Sequence, residues 1–546
     1  MVPVHTALWY AHHRRSCSGS SALGPAWRGG AKTLTYPQRC VWGYVRLSCF
    51  FELIRSGHQM SPAAGASAAA LRAASLPSLV TWLLAHGTRM ADVEVSWSDS
   101  MGAGLVAKRD LTAGEAPIAV PRSVLLSHSS GLKDAVLGPL FSELQYELEI
   151  EVNQYDASQA LIALQLLHAA RCVQLGQASH WEAYINSLRG VVVNSPVLWS
   201  LSERRSLLVG TSIKADVRDL RRSVVDEYRR LRHHLRATEQ SEWLAQLGLD
   251  ASQAPCPLSS EHTTPFERYL LAASLVRSRA YIVVDDGEET HGTEEGLEGD
   301  ELVMPPLIDL ANHDDAVTNG LCWGDGETAP SDSLLLRVEA ATPKGAAVSM
   351  TYGKCHTRRG SLLAFGFATA QQRPAVSYRL APAPSDPHAR IKHAVMAAAD
   401  MLGVSGASVF EVPSDPPQVS GELLQTLRLL ALPSEAASRL LDGAAPMADD
   451  DHVGFGEPPV VSSCGDDVWR ALAQPSDPGI ERAAYAFLLR DTRRMLRALR
   501  AEDPVGAPAP LSSVVAQVRQ DEVEAILQLR AVARREAQLL PRPADA

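Results

Sequence analysis

Apolar and polar positions divide the chain into stretches of different period. Near Leu79 the segment VTWLLAHG has helical spacing and stops at Gly87, and VEVSW then alternates with a period of two. The next stretch, SMGAGLVAKRDLTAGEAPIAVP, reads as two short strands joined by glycine-containing turns. From about 131 to 275 the pattern predicts helices, through ASQALIALQLLHAARC, SERRSLLVG, VVDEYRRLRHHLRA and ERYLLAASLVRSRAYIV, the last turning β-branched at its end. Strand signals return between 302 and 352, around LIDLA, SLLLRVEA and AAVSMTYG. After about 371 the chain is helical again, as in ELLQTLRLLAL and DEVEAILQLRAVARREAQLL. In the latter, Val523, Ile526 and Leu527 have the i, i+3, i+4 spacing of one buried stripe. Strands, a helical insert, more strands and a helical tail predict an α+β unit followed by a separate all-α unit.

Composition changes the picture mainly at the start. At 546 residues the chain is too long for one ordinary core. Residues 1–59 carry Arg14, Arg15, Arg28, Lys32, Arg39, Arg46 and Arg55 but a single acid, Glu52. That balance is the composition of an organelle transit peptide, plastid or mitochondrial, with the chloroplast as the expected compartment. A start at Met60, placing the protein in cytoplasm or nucleus, is the competing reading. The following SPAAGASAAALRAAS reads as a linker, so 1–78 is taken as leader and linker. The acidic stretch 285–301 reads as a solvated loop.

A net charge of −11 argues against nucleic acid, which needs a basic field over its phosphates. No apolar run approaches the ~20 residues of a membrane span. The eight cysteines show no closely spaced pair, so no structural metal is expected.

Four polar segments stand out: GAG at 102–104, SRAY at 278–281, DLANH at 309–313 and TYG at 351–353. Each alone fits a turn, a surface charge or core packing. Their order, with a helical insert between the first and second, resembles the SET-domain methyltransferases. The match is nearest to the Rubisco large-subunit lysine methyltransferase-like branch and runs from about Leu79 to Ala370. SHWEAYINSL, SPVLWS and LLVGTSI agree with that branch as well. The resemblance implies small curved β-sheets, with the NH and YG segments forming a pseudoknot, over 79–370. It implies a helical substrate-binding domain over 371–546. It also implies S-adenosylmethionine as cofactor and a protein substrate presenting a lysine to a monomeric enzyme.

Roles follow from that resemblance and from side-chain chemistry. Met101, Gly102, Ala103 and Gly104 would meet the cofactor through main chain, since glycine lets a backbone approach closely. Arg279 offers a fork of donors to a carboxylate. Asn312 both donates and accepts, and His313 would lie near the adenine. Phe365 would wall the cofactor or substrate side. Tyr281 would line a lysine channel, and Asp309 either touches substrate or caps the chain locally. Tyr352 is the expected catalytic residue, orienting the amine lone pair. A lysine amine must lose its proton first; a shift of about 3 units is about 4 kcal/mol, which burial and a nearby cation can supply.

The chain departs from the family at Met101, where Glu or Asn is common, at Val283, which replaces an Arg, and at Arg358, which replaces an Asn. The rival within the family is a protein-histidine methyltransferase of the actin-histidine type, whose channel carries Asn at the place of Tyr281. A non-catalytic SET-like binding module is the rival of a different class.

Overall fold

The computed structural model describes residues 62–541, apart from 99–101, 152–153, 192, 238–241, 250–257, 259–263, 284–300, 325, 327–329, 353–356, 370, 400, 403–405, 415–418, 433–463, 475–476 and 502–508. The transit-peptide-like leader, Met101, Gly353 and nearly all of the acidic stretch lie outside the described residues. The one exception is Glu301, which opens a strand.

The first helix, α1 (Pro62–Ala85), includes the Ala-rich segment that the sequence reads as a linker. Alanine has the highest helix propensity of all residues, and the helix docks through Leu76, Leu79 and Leu83, all buried. The helix is held by these leucines, which follow the small-residue segment. A hairpin follows: β1 (Val93–Ser98) pairs antiparallel with β2 (Gly102–Ala107), Trp97 opposite Ala103. Ala103, Leu105 and Ala107 alternate inward along β2, as a half-buried strand requires.

Next come β3 (Ile118–Pro121) and β4 (Leu126–Ser127). The insert is helical as expected: α2 (Leu137–Glu151), α3 (Gln154–Gln174), α4 (Glu182–Leu188), α5 (Leu201–Leu207), α6 (Ile213–Ala237) and α7 (Pro265–Arg279). A capping box starts α7: the Thr264 side chain accepts from the Glu267 N–H, and Glu267 accepts from the Thr264 N–H. Ala280 is extended, so α7 passes directly into β5 (Tyr281–Val283). The remaining strands of this unit are β6 (Glu301–Met304), β7 (Gly320–Trp323) and β8 (Ser333–Arg337). They complete two small antiparallel sheets, ordered β4–β6–β5 and β3–β8–β7.

LIDLA is not a strand. Residues Ile308–Leu310 form a 3₁₀ turn entered through Leu307, which has φ of 77°. Pro305 and Pro306 lie just before it and withhold two backbone donors, so a ladder cannot continue. The described part of AAVSMTYG, AAVSMTY, also stays outside regular strands; it is tied by isolated bridges, Val106 to Ala347 and, in parallel, His313 to Met350.

Beyond α8 (Arg358–Phe365), the C-terminal region is helical, with one addition to the all-α expectation. The strands β9 (Ala375–Leu380) and β10 (Ser408–Pro413) form an antiparallel pair. Then follow α9 (Gly421–Ala431), α10 (Pro478–Ala501) and α11 (Ala509–Leu539). Two principal cores result, and α11 belongs to both: Val515 and Val518 join the first, Ala525, Ile526, Leu529 and Ala533 the second. The stripe expected from Val523, Ile526 and Leu527 is thus rotated. Ile526 is buried, Val523 half-buried, and Leu527 46% exposed.

Candidate active site

The LIDLANH segment is the hub. Its 3₁₀ turn sends the Asp309 side chain inward, where it is fully buried. The Tyr184 hydroxyl of α4 donates to Asp309 Oδ2 at 2.9 Å. Arg279, the last residue of α7, donates Nη1 to the same oxygen at 2.9 Å and to the Asp309 carbonyl at 3.0 Å. A cation at a helix C-terminus also opposes the negative end of the dipole. Burial works against the Arg279 charge, yet Asp309 leaves its pKa raised overall. Asp309 is thus a buried partner of both Arg279 and Tyr184.

A second cation comes from α1. Arg72 lies over the Trp97 ring at 6.0 Å, and its Nη1 is 3.6 Å from where a Cβ on Gly102 would stand. Burial first, and then the charge of Arg279, pulls the Arg72 pKa down to about 10. The Nε atoms of Arg72 and Arg279 and the Oδ1 of Asp309 are buried without a hydrogen-bond partner among the described residues. No sequence signal singles out Arg72, which sits in the stretch that reads as linker, and Tyr184 falls within SHWEAYINSL, a segment that agrees with the family branch but carries no assigned role for its Tyr.

GAG is the opening of β2. Gly102 has φ of 73°, a region that L side chains rarely adopt. At Gly104 a Cβ would stand 2.7 Å from Asn312 Nδ2. That amide points at the Ala103 carbonyl, 3.5 Å away. Gly102, Ala103, Gly104 and Asn312 are thus brought together, with Arg279 and Arg72 beside them.

The NH and YG segments pair as threaded chains. Met350 N–H donates to the Asn312 carbonyl at 3.0 Å, and Asp314 N–H to the Met350 carbonyl at 3.1 Å. Val348 N–H donates in turn to the Leu105 carbonyl of β2 at 2.8 Å. This fixes Tyr352 over His313: the Tyr352 N–H donates to His313 Nδ1 at 3.1 Å, and the rings lie 5.1 Å apart. The Tyr352 hydroxyl donates to the Ala311 carbonyl at 3.0 Å. Its proton is thereby directed to protein, and its oxygen is presented as an acceptor. Burial pushes the Tyr352 pKa up to about 12, against the lowering charge of Arg279.

Aromatic rings complete the wall. Tyr281 stands edge-on to Tyr352 at 6.4 Å, and burial raises its pKa well above the phenol range. Phe365 lies 5.0 Å from Tyr352 and stacks on Phe367 at 5.7 Å. Phe367 also lies 5.6 Å from His313; no sequence signal singled it out. The turn that holds both Phe residues needs Gly366: φ is 81°, and a Cβ would stand 2.4 Å from the Asn194 backbone carbon. His313 is held inside the protein by Asp315, with Nε2 to Oδ1 at 2.9 Å, so its ring serves the architecture directly. No cluster of metal ligands occurs among the described residues, nor any helix long and apolar enough to cross a membrane.

Threaded segments over small sheets, with a helical insert, define the SET-domain fold. Solved structures carry the same fold. One is the SET domain of LSMT bound to lysine and AdoHcy (TM-score 0.62, 18% identity, covering 86% of this chain and 92% of that one). Another is Rubisco LSMT bound to AdoMet (TM-score 0.59, 18% identity, 85% and 93%). Among curated relatives are the actin-histidine N-methyltransferases of Mus musculus and Homo sapiens, each 25% identical over 371 residues. Those residues are 67% of this chain and 54% of the relatives' own length, so the chain spans about half of the proteins it matches. No family model matches the chain.

Proposed function

We propose that the protein is an S-adenosylmethionine-dependent protein N-methyltransferase, and that its target is a lysine side chain. The fit to the cofactor rests on charge. Two guanidinium groups, Arg72 and Arg279, converge on one buried region, and the acid among them, Asp309, is shared with Arg279 and Tyr184. The surplus positive charge suits a carboxylate, and the glycines of β2 leave room for an adjacent ligand. Solved relatives of the fold are described as bound to AdoHcy or AdoMet.

When bound, this cofactor supplies an electrophilic sulfonium methyl. Arg72 and Arg279 would hold the amino-acid end, and Asn312 and the β2 backbone would hold the remainder. Tyr352 orients the acceptor: its O–H is committed to the Ala311 carbonyl, so its oxygen can take an N–H from the substrate amine and aim the lone pair. Tyr281, Phe365 and Phe367 exclude water, which favours the neutral, nucleophilic amine. In the protein alone Tyr352 is a phenol, its pKa pushed up to about 12 by burial.

The observation that carries lysine is Tyr281, a buried ring beside Tyr352 that suits an alkyl stem. A histidine target is the second reading, favoured by the names of the curated relatives. The test incubates the full chain and Tyr352→Phe with labelled S-adenosylmethionine and cell extract, then maps the label by mass spectrometry. Label on lysine, reduced at least about 100-fold in the variant, is expected, as for loss of a group that positions the reacting atoms. Label on histidine would replace the lysine assignment. Cofactor binding without any label would favour a binding module.

A further inference from the structure

We propose that Asp315 is a positioning residue for Tyr352, acting through His313; the inference rests on reading Tyr352 as the site of methyl transfer. Two acids follow the NH pair in the sequence, and the fold uses them differently. Asp314 closes its own turn, accepting from the Ala316 N–H at 2.8 Å. Asp315 turns back to the site and joins Nε2 of His313 at 2.9 Å.

An imidazole accepting at both nitrogens, or donating at both while neutral, does not exist. Here Nδ1 faces the Tyr352 N–H, which can only donate, so Nδ1 must accept. Nε2 must then carry the proton, and a carboxylate is the partner that favours that tautomer. The Asp315 carboxylate is itself fixed. Its other oxygen receives the Thr369 hydroxyl. The Thr369 carbonyl receives Arg358 Nε at 2.9 Å, and Arg358 Nη1 reaches Asp521 of α11 at 2.5 Å. Phe367 covers one face of the His313 ring, whose side chain is only 3% exposed. Without the carboxylate, the opposite tautomer would set an N–H against the Tyr352 N–H, and the segment carrying the phenol would lose its hold.

The test compares the full-length protein with Asp315→Ala and Asp315→Asn. Asparagine can still accept from Nε2–H through its oxygen and donate to Thr369 through its amide. Amide hydrogen exchange of the peptide containing Tyr352, followed by mass spectrometry, is the first readout. The wild type and Asp315→Asn should exchange slowly, and Asp315→Ala about tenfold faster, roughly the worth of the one hydrogen bond that holds the Tyr352 N–H. Exchange in Asp315→Ala within twofold of wild type, or in Asp315→Asn as fast as in Asp315→Ala, would overturn the assignment. The second readout is kinetic: Asp315→Ala should lower kcat about tenfold or more with both KM values within twofold, and Asp315→Asn should restore most of it. Loss of binding in parallel with kcat would mark a merely structural role and overturn the proposal. Exchange needs no substrate, so it decides the Asp315 assignment even if the wild type methylates nothing, a result that would instead count against the enzyme reading.

Discussion

Arg72 shows how one side chain changes what a site can hold. A lone Arg279 paired with Asp309 is close to neutral as a unit; adding Arg72 leaves a net positive charge in a place from which water is largely excluded. A buried cation beside another cation is unfavourable, and its lowered pKa records that. An anionic ligand would relieve it. Arg72→Met keeps an apolar stem of similar length while removing the guanidinium, its charge and its place over Trp97. Cofactor affinity should fall about 10- to 100-fold, the worth of one charge-assisted hydrogen bond, with little change in thermal stability. Titration calorimetry with S-adenosylhomocysteine measures this. Unchanged affinity would place the carboxylate elsewhere.

At the scale of elements, most of what positions the site was legible in the sequence. Tyr352, Asn312, His313, Arg279 and Tyr281 come together where the four motifs place them, and the helical insert falls where the period changes. What was not legible has physical causes. The Ala-rich segment of α1 has too few large apolar residues for a stripe to be seen, yet tertiary packing of Leu76, Leu79 and Leu83 holds it. LIDLA has the composition of a strand, but its preceding prolines and the positive φ of Leu307 turn it into a 3₁₀ loop. That strained turn delivers Asp309 to Arg279 and Asn312 to β2, and strain of this kind is concentrated at functional loops. The contact between β2 and this loop is testable. In Gly104→Ala the new methyl meets the Asn312 amide, whose flexible end can swing aside. Stability should change by less than about 1.5 kcal/mol, while cofactor affinity drops about tenfold. Asn312→Ala added to Gly104→Ala should cost almost nothing further, because both act on one contact. Additive losses would show that the two residues act separately.

Across the whole molecule, the unit carrying the site is joined to the C-terminal helices by buried charge as well as by α11. Asp216 of α6 pairs with Arg359 of α8 at 2.5 Å and with Arg379 of β9 at 2.6 Å. Arg359 also reaches Glu411 of β10 at 2.8 Å. Glu522 of α11 sits at the start of α6, accepting from the Ser212 N–H at 2.9 Å and from its hydroxyl at 2.6 Å. Burial raises the Glu522 pKa from 4.5 to about 7, with the hydrogen bonds of Ser212 and the charge of Arg359 opposing and Asp216 reinforcing. A carboxyl whose pKa is raised by folding binds its proton more tightly in the native state. Its contribution is therefore fully present below pH 4.5 and is lost as pH rises through 7, to the extent of about 3 kcal/mol. Glu522→Gln removes that titration and keeps an oxygen for Ser212. The variant should melt several degrees above the wild type at pH 8 and at nearly the same temperature at pH 5, by scanning calorimetry. A variant that melts lower at pH 8 would mean that the ionised carboxylate, held by Arg359 and the Ser212 donors, is what joins the two units; burial would then be the weaker influence on that side chain.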